Sequence, residues 1–424
     1  MKDIRQRSGP PALWQRVLGQ QASFWVSAGV VTHIFWTSAA PAMTYRLYAE
    51  QWHLTPTVTT AVFAVYPIVV VAVLVGFGDL SDHIGRRLVM LLGLGASLIG
   101  TLLFAVAPDV LWLFAGRALT GIGVGLTAGT ATAALVDFSA EGQSKRAASV
   151  TTIAQAVGFS GALLLGGALT QYAPWPTHLG FWVLFALIAG LFVATWFLPR
   201  RRGGPAASRR WRPKSPSIPA GLRPAFAPAA SAVTTAYTHG VLILSLGGQV
   251  GHDLVGSSNA LVDGAALSLF AITSGVVGIS ARGLSPRPAM LLGAIASVAS
   301  MGLLALSVAR QELSIFLAST AIAGVGYSLL VLGGLALLGG AVPERHRGGV
   351  LSALYLFAYL SMGTVALGLG VVATERGLGL AVDLGAAAIT LLSLGTIGLL
   401  ALQQIHGRKV PAAPVSGEGY GQSA

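Results

Sequence analysis

The sequence predicts an all-α integral membrane protein, with twelve transmembrane helices in two pseudo-symmetric six-helix bundles. Three observations carry this. Of 424 residues, 54% are hydrophobic and 9% are charged. Soluble domains hold nearer ~25% charged residues, so this chain cannot clothe a water-facing surface. The apolar residues fall into runs of about the ~20 that a helix needs to cross the hydrocarbon core. Three short patterns recur at offsets of roughly 200 residues.

The N-terminal tail carries Lys2, Arg5, Arg7 and Arg16, and a first apolar run extends from Phe24 to Tyr45. A basic tail before an apolar run also describes a cleaved leader, with Ser38-Ala39-Ala40 as a cut site. The run is longer than a leader core and reads as helix 1. Spans follow at 57–77, 88–107, 110–136, 147–171 and 179–198. Pro199–Pro224 holds eight basic residues, six prolines and no acid, so it has little to pack and reads as a linker. Six further spans follow at 228–252, 259–281, 288–308, 313–341, 348–373 and 384–403, and the polar tail from Gln404 reads as disordered. The expected division is a first bundle at 1–198, a basic cytoplasmic linker at 199–225, and a second bundle with a short cytoplasmic tail at 226–424.

With the N-terminus inside, the inner segments hold 22 of the 26 cations; only Arg46, Arg117, Arg310 and Arg376 fall elsewhere. That asymmetry fixes orientation under the positive-inside rule, and Trp52, Trp112, Trp175 and Trp182 fall at the outer helix ends as an interfacial belt. Both termini are expected in the cytoplasm. The halves echo each other: Gly78…Arg86-Arg87 and Gly278…Arg287, Leu119-Thr120-Gly121-Ile122-Gly123 and Ile322-Ala323-Gly324-Val325-Gly326, Lys145-Arg146 and Arg345-His346-Arg347. Repeats at one offset point to duplicated halves related by an axis along the membrane normal.

Several function classes are excluded. The net charge of +12 lies in short loops and forms no face for nucleic acid. Cysteine is absent, which removes disulfides and thiolate metal sites. None of the four lysines follows a glycine, so the phosphate loop of ATP-driven machines is missing. No cofactor is expected, and a proton gradient is the expected energy source. An enzyme would need His, Asp or Glu clustered at one depth, and no such cluster is seen. Arginine outnumbers lysine 22 to 4 amid abundant Ala and Gly, the composition of a high-GC bacterial gene, which suggests a bacterial inner membrane.

The connection Gly78-Asp79-Leu80-Ser81-Asp82-His83-Ile84-Gly85-Arg86-Arg87 is charged and glycine-bearing, so it must lie at a membrane face. It resembles the signature loop between helices 2 and 3 of the major facilitator superfamily of secondary transporters. Gly78, Leu80, Ser81, Asp82, Gly85, Arg86 and Arg87 match; His83 replaces the usual base, and Leu88 stands where a third base is common. The resemblance implies alternating access between the two halves, with Asp82, Arg86, Arg87 and Asp137 as a gate cluster. Asp82 also precedes helix 3 and is placed to cap it. An Asp79-Asp82-His83 metal site is a weaker account of the same residues.

An ionisable residue inside a span is a functional candidate. Arg117 sits two turns inside helix 4, in a string similar to the family's helix 4 motif, which is linked to proton or substrate handling; the alternative is an arginine that snorkels to the interface. His33 and His239 occupy corresponding places in helices 1 and 7, which line the central cavity in the family. They are proton-coupling candidates or bonds to a neighbouring helix. Trp36 shares the face of His33 and either stacks cargo or packs. Gln155, Tyr237, Gln249, Tyr327, Tyr355 and Tyr359 are further cavity candidates. Gly121, Gly125 and Gly129 form a small-residue ridge for helix packing. Gly158…Gly161…Gly166-Gly167 resembles a helix 5 string of drug–proton antiporters but lacks its proline, and helix 1 has no acid. Asp383 is expected to cap helix 12, and Asp263 to sit in the first turn of helix 8, neither buried.

The function expected is monomeric secondary transport of a small organic solute, as proton-coupled efflux of a drug or lipophilic metabolite. A symporter or uniporter of a small metabolite, and a transporter-like receptor, are the alternatives. Arg117, His33 and His239 with no deep carboxylate would disfavour a cation in low dielectric, so neutral or anionic cargo is expected.

Overall fold

The computed structural model describes residues 17–140, 143–200, 216–256 and 258–408. The N-terminal cations, most of the linker, the side chains of Arg345 and Arg347, and Lys409 lie outside the described residues.

Among the described residues twelve long helices follow in order: α1 Gln20–Ala39, α2 Pro56–Phe77, α3 Arg86–Ala105, α4 Val110–Asp137, α5 Ser144–Tyr172, α6 Leu179–Trp196, α7 Arg223–Val241 with an extension, α8 Ala260–Ser280, α9 Pro286–Arg310, α10 Leu313–Ala341, α11 Glu344–Arg376 and α12 Leu378–Arg408. Eleven combine spanning length with high hydropathy; α1 has the length but more polar residues. Successive helices alternate in direction. One end of the bundle therefore collects residues 78–87, 138–140, 143–146, 281–287 and 342–347, and is called the arginine-rich end. The opposite end collects 40–55, 106–109, 173–178, 255–256 and 258–259.

Helix 1 ends earlier than the apolar run. It stops at Ala39, gives way to a 3₁₀ turn at Ala40–Met43, and resumes as a short helix at Tyr45–Trp52. Pro41 is the cause: it has no N–H to offer the Thr37 carbonyl, and its ring crowds the preceding turn. At the other junctions α7 begins at Arg223, inside the stretch read as linker, and α12 runs through Gln404 to Arg408 rather than ending at 403. Asp383 does not cap α12, since that helix starts at Leu378 and Asp383 is exposed within it.

Beyond Val241, α7 continues through two π turns, Leu242–Leu246 and Val250–Leu254, around Gly247–Gln249. Such turns widen a helix and gather at functional sites.

The signature loop folds as a short helix at Leu80–Ile84, broken at Gly85 (φ 89°). Only glycine takes that conformation without strain. Gly85, not Asp82, is therefore the residue that starts α3, and Asp82 is exposed a turn earlier. The capping role expected for Asp82 is not seen.

The halves meet chiefly through α5 with α8 and α2 with α11, and the pseudo-twofold exchanges one pair for the other. The α5–α8 seam is backbone against backbone. A methyl added at Gly167 would meet the Ala260 carbonyl at 2.5 Å, and one added at Gly264 would strike the Leu163 carbonyl.

Candidate functional site

At the opposite end the halves are tied together. Thr57 N–H donates to Thr374 Oγ1 at 2.9 Å, and the two threonine hydroxyls meet at 2.8 Å. Ala260 N–H donates to Gln171 Oε1 at 2.8 Å, and Asn259 Nδ2 to Tyr172 Oη at 3.1 Å. Tyr45–Trp52 and the 3₁₀ turn before it touch α7 around Gly247–Gln249.

Toward the arginine-rich end a cavity of about 210 Å³ opens between α5, α8 and α10. Thr152, Gln155, Phe159, Phe270, Ser274, Tyr327 and Ser328 line it with aliphatic neighbours, and no charged side chain is among them. An aromatic cluster extends it: Tyr237 stacks on Tyr327 (6.5 Å) and meets Tyr359 edge-on (5.0 Å), while Tyr355 lies 6.4 Å from Tyr359 and Phe270 5.2 Å from Tyr327. Gln155 interacts with the Tyr327 hydroxyl. Four tyrosines and Gln155 thus come together from α5, α7, α10 and α11. Tyr359 packs against apolar clusters of both halves.

The other expected cavity residues lie elsewhere. Trp36 packs on α5, its ring against Gly161. Gln249 sits at the opposite end beside Asp263. His33 is fully buried inside the first bundle, with Nε2 3.0 Å from Ser97 Oγ on α3 and Nδ1 3.2 Å from the Val30 carbonyl. A carbonyl can only accept, so Nδ1 carries the proton and Nε2 takes the serine hydroxyl. His239 lies at matching distances, Nε2 3.4 Å from Ser300 Oγ on α9 and Nδ1 3.2 Å from the Thr235 carbonyl, while the Ser300 hydroxyl donates to the Ser297 carbonyl. The spacings 33–97 and 239–300 are the sequence signal that would have paired them.

Arg117 is 1% exposed, which rules out snorkelling. Its guanidinium reaches the Thr37 carbonyl (3.5 Å) and the Ser38 carbonyl (3.4 Å) at the end of α1. The Thr37 carbonyl is the one that Pro41 leaves without its helical donor. Tyr66, Phe63 and Tyr45 rings surround the charge at 4.7, 5.7 and 5.9 Å, each a favourable cation–π partner.

Of two acids, Asp263 departs from expectation. Asp137 ends α4 and pairs with Arg86 across the arginine-rich end, Nη1 to Oδ2 2.9 Å; Arg87 instead lies over the Trp196 ring at 5.5 Å, and Gly78 closes α2. Asp263 does occupy the first turn of α8, but it is 6% exposed. A buried carboxylate therefore exists, against the expectation of none, because α7 packs on it through Gly251. On the ridge, Gly121 and Gly125 face α2, while Gly129 faces open space.

The sequence profile of the Major Facilitator Superfamily matches residues 25–362. The chain belongs to this superfamily. Among curated proteins it is similar to a galactose-proton symporter of Escherichia coli strain K12, 31% identical over 137 residues. It is also similar to the multidrug efflux pump LfrA of Mycolicibacterium smegmatis, 30% identical over 136 residues. Each match takes in 32% of this chain, and 29% and 27% of those relatives. Among solved structures, a POT family transporter in complex with 5-aminolevulinic acid superposes with a TM-score of 0.71 at 13% identity, covering 91% of this chain and 96% of that one. A bacterial homologue of the human lysosomal transporter Spinster gives 0.67 at 14% identity, covering 93% and 99%. These likenesses establish the fold. The superfamily member described here has, among its described residues, the helices of a multi-pass membrane protein.

Proposed function

We propose that the protein exports a neutral, weakly polar solute by proton-coupled alternating access, with its arginine-rich end in the cytoplasm of a bacterial inner membrane. The carrying observation is the uncharged aromatic cavity bordered by Tyr327 and Gln155. Phenolic and amide groups can hydrogen-bond a neutral cargo, and the rings can stack it. The sequence argument for anionic cargo weakens, because Arg117, His33 and His239 are engaged inside single bundles. Those engagements support bracing roles for all three.

In this reading the structure is closed outward, held by Thr57–Thr374 and the ends of α5 and α8. The Arg86–Asp137 pair would reorganise when the inner end closes. One charge crossing ~100 mV is worth ~2.3 kcal/mol, enough for an about fifty-fold gradient of neutral solute at ~1.4 kcal/mol per tenfold.

The test follows internal pH in respiring everted vesicles while neutral, anionic and cationic compounds are added. A neutral compound should raise the acidic internal pH, and Tyr327→Ala should abolish the response. A response only to cations would overturn the cargo assignment. The galactose-proton symporter relative favours a second reading, import of a hydroxylated solute, which suits Thr152, Ser274 and Ser328 in the lining. In right-side-out vesicles that reading gives proton uptake on addition of cargo.

A further inference from the structure

Two hydroxyls of the main cavity stand without a partner. Ser274 on α8 and Ser328 on α10 both line it, at 8% and 7% exposure, and neither makes a hydrogen bond among the described residues. Serines in a helix commonly turn back on their own backbone. Ser268 and Ser280 of α8 do so, donating to the Ala265 carbonyl at 2.8 Å and the Val276 carbonyl at 3.0 Å. For Ser274 the acceptor four residues back is the Phe270 carbonyl, which already accepts from Thr273 Oγ1 at 3.3 Å. A buried hydroxyl left unmatched costs free energy. Water entering from the open side can match both, and an occupant that displaces this water must replace its bonds.

The lining is layered along the helices. A methyl added at Gly275 would meet Ala156, and one added at Gly278 would meet Thr152 and Ser328, which puts Ser274, Ser328 and Gln155 within about a turn of one level. Phe159 and Phe270 lie about a turn deeper on α5 and α8, and Phe270 meets Tyr327 at 5.2 Å. Rings therefore form the inner part, and the two free hydroxyls stand between them and the arginine-rich end. Arg282 is exposed at that rim, engaged by the Gly278 carbonyl, Ser149 and Thr152, so its charge stays in water outside the lining. The space is about 210 Å³. An apolar cavity of ~150 Å³ holds one benzene, so this one takes one or two fused rings, with substituents toward the open side.

We propose that the cargo is a neutral aromatic of one or two fused rings carrying two hydrogen-bonding groups on one edge. Its rings lie among Phe159, Phe270 and Tyr327, where edge-on and offset ring contacts favour it, and its polar edge meets Ser274 and Ser328. A serine hydroxyl both donates and accepts, so hydroxyl and carbonyl groups serve equally on that edge. This deepens the proposed function and rests on its placing of cargo in this cavity; it holds for export and import alike.

The test is calorimetric titration of purified full-length protein in lipid nanodiscs, with empty nanodiscs as reference. The probes are naphthalene, 2-naphthol and 2,3-dihydroxynaphthalene, at mildly acidic pH where all three are neutral. Affinity should rise about three- to tenfold with each hydroxyl. Ser274→Ala and Ser328→Ala should each remove one step, and the double variant should bind the three probes alike while eluting as folded protein. Tyr327→Ala should weaken all three. Equal affinities for the three probes, or a hydroxyl advantage that survives in the double variant, overturns the polar edge. If Tyr327→Ala still removes that binding, cargo stays in the cavity, so the two readings fail separately. Binding of no probe by folded protein overturns the aromatic assignment, and the vesicle panel then judges the cavity reading by itself.

Discussion

Thr57 and Thr374 stand 317 positions apart and join hydroxyls at 2.8 Å, where α2 of one half meets α11 of the other. The bond is partly exposed, so its own contribution is small, about 0.5–1.5 kcal/mol. Its position at the closed end makes it a trap. Oxidised Thr57→Cys/Thr374→Cys protein is expected to lose transport, and reductant should restore it. Transport that continues with the disulfide formed would mean that this end does not open.

Arg117 and Pro41 form a second linked pair. Removing the guanidinium leaves the Thr37 carbonyl buried without a donor, at a cost of about 1–3 kcal/mol. Arg117→Met is expected to lower the melting temperature. Pro41→Ala restores a backbone N–H, so the double variant should recover part of the loss. Equal melting temperatures for the single and double variants would show that Arg117 does not serve that carbonyl.

The two histidines are expected to behave as equivalent braces. Ser97→Ala and Ser300→Ala should each cost about 1 kcal/mol, and His33→Gln and His239→Gln should leave the pH profile of transport in place. Loss of the profile in either glutamine variant would return that histidine to proton handling.

The main cavity can be filled. Ser274→Leu and Ser328→Leu add bulk to its lining and should weaken cargo binding about tenfold or more, some ~1.4 kcal/mol. Transport at the original KM would place the cargo elsewhere.

At the arginine-rich end Arg86 and Asp137 are about 30% exposed, so breaking the pair is worth no more than ~1 kcal/mol of stability. Asp137→Asn is therefore expected to fold normally yet slow turnover, and the exchange Arg86→Asp/Asp137→Arg should recover part of the rate. Full turnover in Asp137→Asn would leave the pair without a part in the cycle.

The spans, their order and the signature loop were legible because hydrocarbon leaves the backbone few options and apolar runs report that directly. Arg86 and Asp137 were legible through the family resemblance. Other features were not. The end of α1 was marked by Pro41, yet the apolar run continued past it and hid the break. The π turns of α7 carry no proline, and their composition matches an ordinary buried helix. Asp263 read as a surface residue because first turns usually meet water; its burial comes with α7, whose Gly251 packs on it, a contact set by tertiary structure alone. Trp36 and the histidines shared the expected helix faces, but which neighbour each face meets depends on helix rotation, and sequence periodicity leaves that angle open.

The α5–α8 seam has a mechanical consequence. Gly167 and Gly264 bring main chains together inside it, and the longer side chains that cross it, Gln171, Tyr172 and Arg282, do so at its two ends. A tilt of a few degrees there breaks no rotamer-specific fit, so the seam can act as a smooth bearing. Bulky residues in its place would mesh like gear teeth and confine the two halves to fixed notches.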